Sequence, residues 1–230
     1  MLTNVRPELG GPGPLNVLQL ILEPHPARTV IRPFDFAYPA QFAEERGNRR
    51  LVVAQRVLNL DEAEQARIVD LMLPEMRRRH RNVEATFMRR YDELGDEIRA
   101  LPTNDAQKLL LGAYFSQEFA FESAALFNPS IIASPRNNDS DGETRFILSL
   151  RGVGEGHISS VTFRTGMWSA DGSVTVDPPS PYADPPIIVR DTEGGGAELI
   201  CDDAMDVSES VIFPILPSQS HGVEDLRLVR

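Results

Sequence analysis

One cysteine in 230 residues excludes an internal disulfide. That cysteine, Cys201, follows Ala197-Glu198-Leu199-Ile200, a setting in which it reads as a small buried apolar residue. No histidine stands at a spacing that would make it a nucleophile. The common metal signatures are also missing: there is no CxxC, no HExxH, and the four histidines are scattered. Nor is there a phosphate-cradling P-loop. Gly152-Val153-Gly154-Glu155-Gly156 has glycines like a dinucleotide fingerprint, but it precedes an apolar strand pattern instead of opening a helix. No apolar run approaches the roughly 20 residues that cross a bilayer. The best candidate, Val17 to Leu22, is interrupted by Gln19 and stopped by Pro24. The first residues, MLTNVRPELGGPGP, carry neither the apolar stretch nor the cleavage site of a secretory signal. These absences predict a cytoplasmic chain with no membrane partner.

A positive surplus is lacking too. The net charge is −11, and residues 106–230 carry 18 acidic against 8 basic residues. An acidic half of this kind repels a polyphosphate backbone, which argues against nucleic acid as a partner. The first 105 residues are nearly balanced, with 15 Arg and 16 Asp plus Glu. Their basic run, Arg77-Arg78-Arg79-His80-Arg81, is flanked by acidic residues and reads as a solvated helix face.

Two textures divide the chain. Residues 1–16 are rich in glycine and proline and read as a loose arm, followed by a short extended stretch, Thr29 to Arg32, halted by Pro33. From about residue 60 the period is helical. Asp61 can cap a helix with Glu62 and Glu64 in its first turn, and Pro74 must kink it or start another. His80, Val83, Phe87, Tyr91, Leu94 and Ile98 recur at three- and four-residue steps, on one helix face. Thr103 or Asn104 then caps a third helix expected to run to about Leu126, apolar nearly all round and therefore buried. After Phe127 glycine rises and short β-rich runs appear: 145–150, 157–164, 173–176, 187–190, 211–215 and 226–229. Short strands with no helices between them suggest a sandwich, barrel or propeller. The organisation predicted is an arm and helical region over 1–105, then a buried helix and β-rich region over 106–230.

Polar residues cluster at the predicted strand ends. Asn128-Pro129-Ser130 follows the third helix, Arg151 follows an apolar strand, Glu155 and His157 flank a glycine, and Glu224-Asp225 follow Gly222. Asn, Ser, Arg and carboxylates at strand ends can hydrogen-bond sugar hydroxyls. A carboxylic acid shielded from water is the usual proton donor to a glycosidic oxygen.

Three segments carry a resemblance: Phe127-Asn128-Pro129-Ser130, then SLRGVGEGHISSVTFRTG from Ser149, then VIFPILPSQSHGVEDLR ending at Arg227. Together, over roughly residues 28–230, they resemble glycoside hydrolase family 130, the inverting β-mannoside phosphorylases and related mannosidases. The likeness is to its longer branch, which has a helical N-terminal region. That resemblance implies a five-bladed β-propeller, so the α+β chain is expected to hold a helical region followed by a partial propeller of two to three blades. It implies that Asp225 is the catalytic general acid and that Asn128, Ser130 and Arg151 contact the sugar. Glu155 and His157 fall in the branch's GEGHISS segment, and Glu224 precedes the acid. The implied substrate is a β-linked mannose oligosaccharide, cleaved by inorganic phosphate as co-substrate with no other cofactor and no metal. Hydrolysis, or sugar binding without catalysis, stands as the alternative. Two positions depart from the pattern, Leu226 where Pro or Ala is usual and Ser210 where Arg is often found. The basic residues that hold phosphate in the family lie beyond the catalytic segment, so the chain is expected to resemble an N-terminal portion, inactive alone and completed by a C-terminal half or an oligomer.

Overall fold

The computed structural model describes residues 18–34, 48–135, 142–190, 196–202, 204–216, 219, 222–223 and 226–229. Two compact units emerge, one formed by Thr29–Phe119 and the other by Met1–Arg28 with Ala120–Arg230. The first is therefore inserted into the second in chain order. The protein is mixed α+β, every strand pair of described register is antiparallel, and among the described residues none of the sheets closes.

In the inserted unit, strand β1 (Thr29–Pro33) pairs with β2 (Ser116–Ala120). Between them the described residues form five helices. Helix α1 (Arg49–Leu58) starts where the Asn48 side chain accepts the Leu51 N–H. Sequence periodicity misses it, because it begins the helical region only at about residue 60. Asp61 caps α2 (Glu62–Arg77) as predicted, accepting the Glu64 N–H at 2.8 Å, with Glu62 and Glu64 complementing the helix dipole. Pro74 lies inside this one continuous helix, in its last turn. Helix α3 (Val83–Asp92) follows Asn82, which adopts a left-handed conformation at φ 51°. Gly95 separates it from the single turn α4 (Asp96–Arg99). Asn104 and Gln107 make a reciprocal capping box for α5 (Asp105–Tyr114). The predicted stripe is buried throughout, from His80 to Ile98, although a helix break intervenes.

The core of this unit joins Ala54, Val57, Tyr91, Leu94, Ile98, Leu110, Leu111 and Phe115. Helices α3 and α5 approach closely at Gly112, where an added Cβ would lie 1.9 Å from the Phe87 carbonyl oxygen. The expected helix to Leu126 is corrected: it ends at Tyr114, and the Ser116 hydroxyl donates to the Gly112 carbonyl at that end. Phe119 and Phe121, read as part of the helix, instead fall in and just after β2, in keeping with the strand preference of aromatics.

The second unit is built on a meander. Strands β3 (Ala125–Ala133), β4 (Glu143–Val153), β5 (Ser159–Ser169) and β6 (Val174–Val176) pair in chain order. Asp171-Gly172 makes the β5–β6 turn, with Gly172 at φ 83°. A hairpin of β7 (Ile187–Arg190) and β8 (Ala197–Ile200) forms a separate two-stranded sheet. Strand β9 (Val211–Ile212) returns to β5 at Val161 and Thr162. Residues 226–229, predicted as a strand, have no regular secondary structure. Cys201, predicted buried, is exposed, and it follows a hairpin whose Ile187, Ile188, Val189 and Ile200 are exposed too.

Alternation along the strands sorts the meander into two faces. One buries Phe146, Leu148 and Leu150 with Leu22, Leu126, Trp168 and Val174 packed on them, the Phe146 and Trp168 rings stacked at 5.7 Å. On the same face of β5 lies Arg164, which joins Arg28 on Glu122. Both guanidinium groups donate to Glu122 Oε1 at 2.8 Å, and all three side chains are buried.

Candidate active face on the meander

The other face of the meander carries the predicted polar residues. Register places Ser130 opposite Ser149, and Phe127 opposite Arg151. Directly opposed residues share a face, so Ser130, Ser149 and Arg151 point the same way. On β5, Val161 opposes Arg151 and Ser159 opposes Val153, which adds Ser159 to this set. The Arg151 Nε donates to Ser159 Oγ at 3.0 Å, which holds the guanidinium along the sheet.

Asn128 sits at a β-bulge. Between Phe127 and Ser130 the register loses one residue, and Asn128 takes φ 49°. Asparagine tolerates this left-handed conformation better than most side chains, and a bulge redirects neighbouring groups at a strand. Its side chain is exposed.

Glu155 and His157 occupy a single 3-10 turn between β4 and β5. Glu155 accepts the Ala120 N–H at 3.1 Å, so its carboxylate fastens the turn to the end of β2. Gly154 packs beside it, where a Cβ would meet the Ala120 carbonyl at 2.2 Å. Gly156 and His157 are consecutive left-handed residues at φ 62° and 59°, and the His157 side chain is exposed.

Glu224 and Asp225 lie outside the described residues. The described residues on either side of them both touch the serine face. Gly222 lies against Ser159, close enough that a Cβ would come within 3.2 Å of the Ser159 Cβ. Downstream, Ser149 Oγ donates to the Leu226 carbonyl at 3.4 Å, and the Leu228 N–H donates to Ser130 Oγ at 3.0 Å. The Arg227 guanidinium reaches the carbonyls of Asn128 and Pro129 at 3.5 and 3.4 Å. Asn128, Ser130 and Arg151 thus share a surface with the flanks of the acidic pair, whereas Glu155 and His157 occupy the adjoining turn.

Sequence reading singled out neither Ser149 nor Ser159. Both stand within the segment quoted above, and Ser149 lies two residues from Arg151, the period that puts them on one strand face. The buried Arg28–Glu122–Arg164 group left no local trace, since its members are 94 and 42 positions apart. Burial pushes the Arg164 guanidinium down from its ordinary value, opposed by the charge of Glu122.

A second charged group belongs to the inserted unit. Glu118 accepts from Arg79 at 2.8 and 3.0 Å, from Thr29 at 3.0 Å, and shares a 2.8 Å contact with His80 Nε2. The Arg79 hydrogen bonds hold the Glu118 carboxyl down to about 2, with smaller help from His80 and Thr29 against the opposing effect of burial. Arg79 and His80, read as part of a solvated face, are therefore tied to a structural ion cluster.

Among the described residues no group of three or more His, Cys, Asp or Glu is placed to hold a metal ion. No helix among them is long and apolar enough to cross a membrane. No protein-family model matches this chain, and no curated protein and no solved structure matches it.

Proposed function

We propose that the serine face of the meander belongs to a carbohydrate-active site that processes β-linked mannosides, with Asp225 as general acid. The observation that carries this reading is the convergence just described. Three residues predicted to contact sugar share one sheet face with the backbone on both sides of Glu224-Asp225. Arg151, held flat by Ser159, offers donors to vicinal sugar hydroxyls, and the exposed Asn128 amide offers both a donor and an acceptor. Asp225 would give its proton to the leaving glycosidic oxygen while inorganic phosphate attacks the anomeric carbon from the opposite side, inverting it. Phosphate is already anionic at neutral pH, so one protein carboxylate suffices. Hydrolysis would need a second carboxylate about 6.5–9.5 Å from the first to admit and activate water.

What supports a propeller in this reading is a run of four antiparallel strands, β3–β6, in a sheet that β9 joins on β5. That sheet would be one of five blades around a central channel, and turnover is expected where all five are assembled. Binding is the direct test. Titration of the folded chain with β-linked mannobiose should show saturable binding that Arg151→Ala abolishes. Any mannose 1-phosphate released with phosphate should vanish in Asp225→Asn, and free mannose released without phosphate would identify a hydrolase. A folded chain that neither binds nor turns over the disaccharide refutes the proposal.

A further inference from the structure

A groove of about 500 Å³ opens on the inserted unit, lined by α1 and by Tyr114 at the end of α5. Val52, Val53 and Val57 make its apolar strip. Val57 belongs to the core, so the groove reaches down to it, whereas Val52 and Tyr114 stand 49% and 46% exposed. Arg49 and Arg56 line the same groove, and both are exposed. Positions 49, 52, 53, 56 and 57 follow the three- and four-residue steps of one helix face. The two arginines are nearly two turns apart, about 10 Å along the axis, so they bracket the valines. Among the described residues that line the groove none is acidic.

Concave apolar sites of this size, with a few charged or polar groups, are the usual form of a small-molecule site. A single exposed valine would need no explanation, but here an exposed valine, an exposed tyrosine and two cations share one concavity. The charge is also of the minority sign: the chain carries a net −11, yet this groove offers two positive groups and no negative one. We infer that the groove binds an apolar acid of the fatty-acid type, its tail along the valines and its carboxylate on Arg49 or Arg56. A guanidinium presents two parallel N–H donors that match a carboxylate, and the Tyr114 ring offers the tail a further apolar surface. Because both arginines are exposed to water, they select the sign of the ligand more than they add affinity, which comes from covering the valines. The site lies wholly within the inserted unit and does not depend on the sugar-processing reading.

Calorimetric titration of the full chain with dodecanoate, kept below its micelle-forming concentration, tests the inference. Saturable binding is expected, with amide chemical shifts moving at Val52, Val53 and Tyr114. Dodecyltrimethylammonium, with the same tail and the opposite charge, should bind several-fold more weakly, and butyrate, a head without a tail, should not saturate. Val52→Asp puts a carboxylate among the valines at a half-exposed position and should weaken dodecanoate about 10-fold or more. The double variant Arg49→Gln, Arg56→Gln changes only exposed side chains. It should weaken dodecanoate about 2- to 5-fold, the range of one solvated ion pair, and erase the preference over the ammonium. Absence of saturable dodecanoate binding, equal binding of the ammonium to the wild-type chain, or wild-type affinity in either variant overturns the inference.

Discussion

Replacing Glu122 by glutamine isolates the charge of one buried carboxylate without changing its shape. The wild-type group places two guanidinium ions, Arg28 at 1% and Arg164 at 3% exposure, on one oxygen of a carboxylate that is itself at 0%. Some of the positive charge is dispersed elsewhere. Arg28 also donates to the carbonyls of Ser180 and Ser208 and lies 5.1 Å over the Phe121 ring, and Arg164 donates to Thr162 and the Phe163 carbonyl. Those contacts satisfy hydrogen bonds but supply no opposite charge. Breaking a buried ion group by removing one member costs about 3–5 kcal/mol, because the ions left behind are uncompensated. Domains of this class hold about 5–15 kcal/mol in total, so Glu122→Gln should remove roughly a fifth or more of the stability. At about 2–4 °C per kcal/mol, the midpoint of thermal unfolding should fall by roughly 6–20 °C, read by circular dichroism or calorimetry. The triple variant Arg28→Met, Glu122→Leu, Arg164→Met should stay near wild type, since apolar replacement of a whole buried ion group is often neutral. A fall of less than about 1 kcal/mol for Glu122→Gln, within the range of a solvated pair, would refute the claim that these charges are shielded from water.

Two further substitutions test the inserted unit. The Glu118 carboxyl is held to about 2, below its ordinary 4.5, so its contribution to stability is present above about pH 4.5 and is lost as pH falls towards 2. Because the side chain is partly solvated, screening reduces that contribution to about 1–2 kcal/mol; Glu118→Gln should lose it at pH 7 and show a flatter acid limb, and an unchanged stability–pH curve would contradict the assignment. Gly112→Ala would put a methyl group 1.9 Å from the Phe87 carbonyl oxygen, forcing α3 and α5 apart; a loss of about 1–3 kcal/mol in denaturant unfolding is expected, and a stabilised variant would show that the crossing is looser than described.

The helical half was legible where side chains cap the backbone and where one face is apolar. Asp61 and Asn104 announce their helices through the orphan N–H groups at each start, and the stripe from His80 to Ile98 is buried as its spacing predicts. Helix α1 escaped because Val52, Val53 and Val57 are β-branched and lower its propensity, so that its existence depends on packing against Leu110 and Leu111 in the core. The overlong third helix failed for the opposite reason. Leu109 to Phe121 is apolar at too many positions to reveal a period, and a fully apolar run does not distinguish buried helix from buried strand. Gly112 and Phe115 decide the matter through contacts far away in sequence, with Phe87 and with Ala54 and Tyr91, while Ser116 closes the helix end locally on Gly112.

The face that carries the candidate site shows how such a sequence hides half of its chemistry. Arg151, Asn128 and the acidic pair are visible because charged and amide groups draw attention in a β-rich sequence, although the structure sets Asn128 and Arg151 inside β3 and β4 and not at their ends. Serine does not, yet Ser130, Ser149 and Ser159 are the residues through which three strands and the C-terminal segment meet. Their significance depends on register: one residue of slip in β4 would turn Ser149 and Arg151 to the apolar side and bring Leu148 and Leu150 to the polar one. The single bulge at Asn128 adjusts that register, keeping Phe127 on Arg151 and Ser130 on Ser149 although their separations along the two strands differ by one. Asn128 therefore matters twice, through the amide it exposes and through the left-handed backbone that keeps the serines in line. A sugar-contact assay reports only the first of these. Asn128→Gly, which removes the amide and keeps the backbone freedom, separates the second: Leu228 exchange should stay slow in that variant, and fast exchange would show that the amide itself holds the face together.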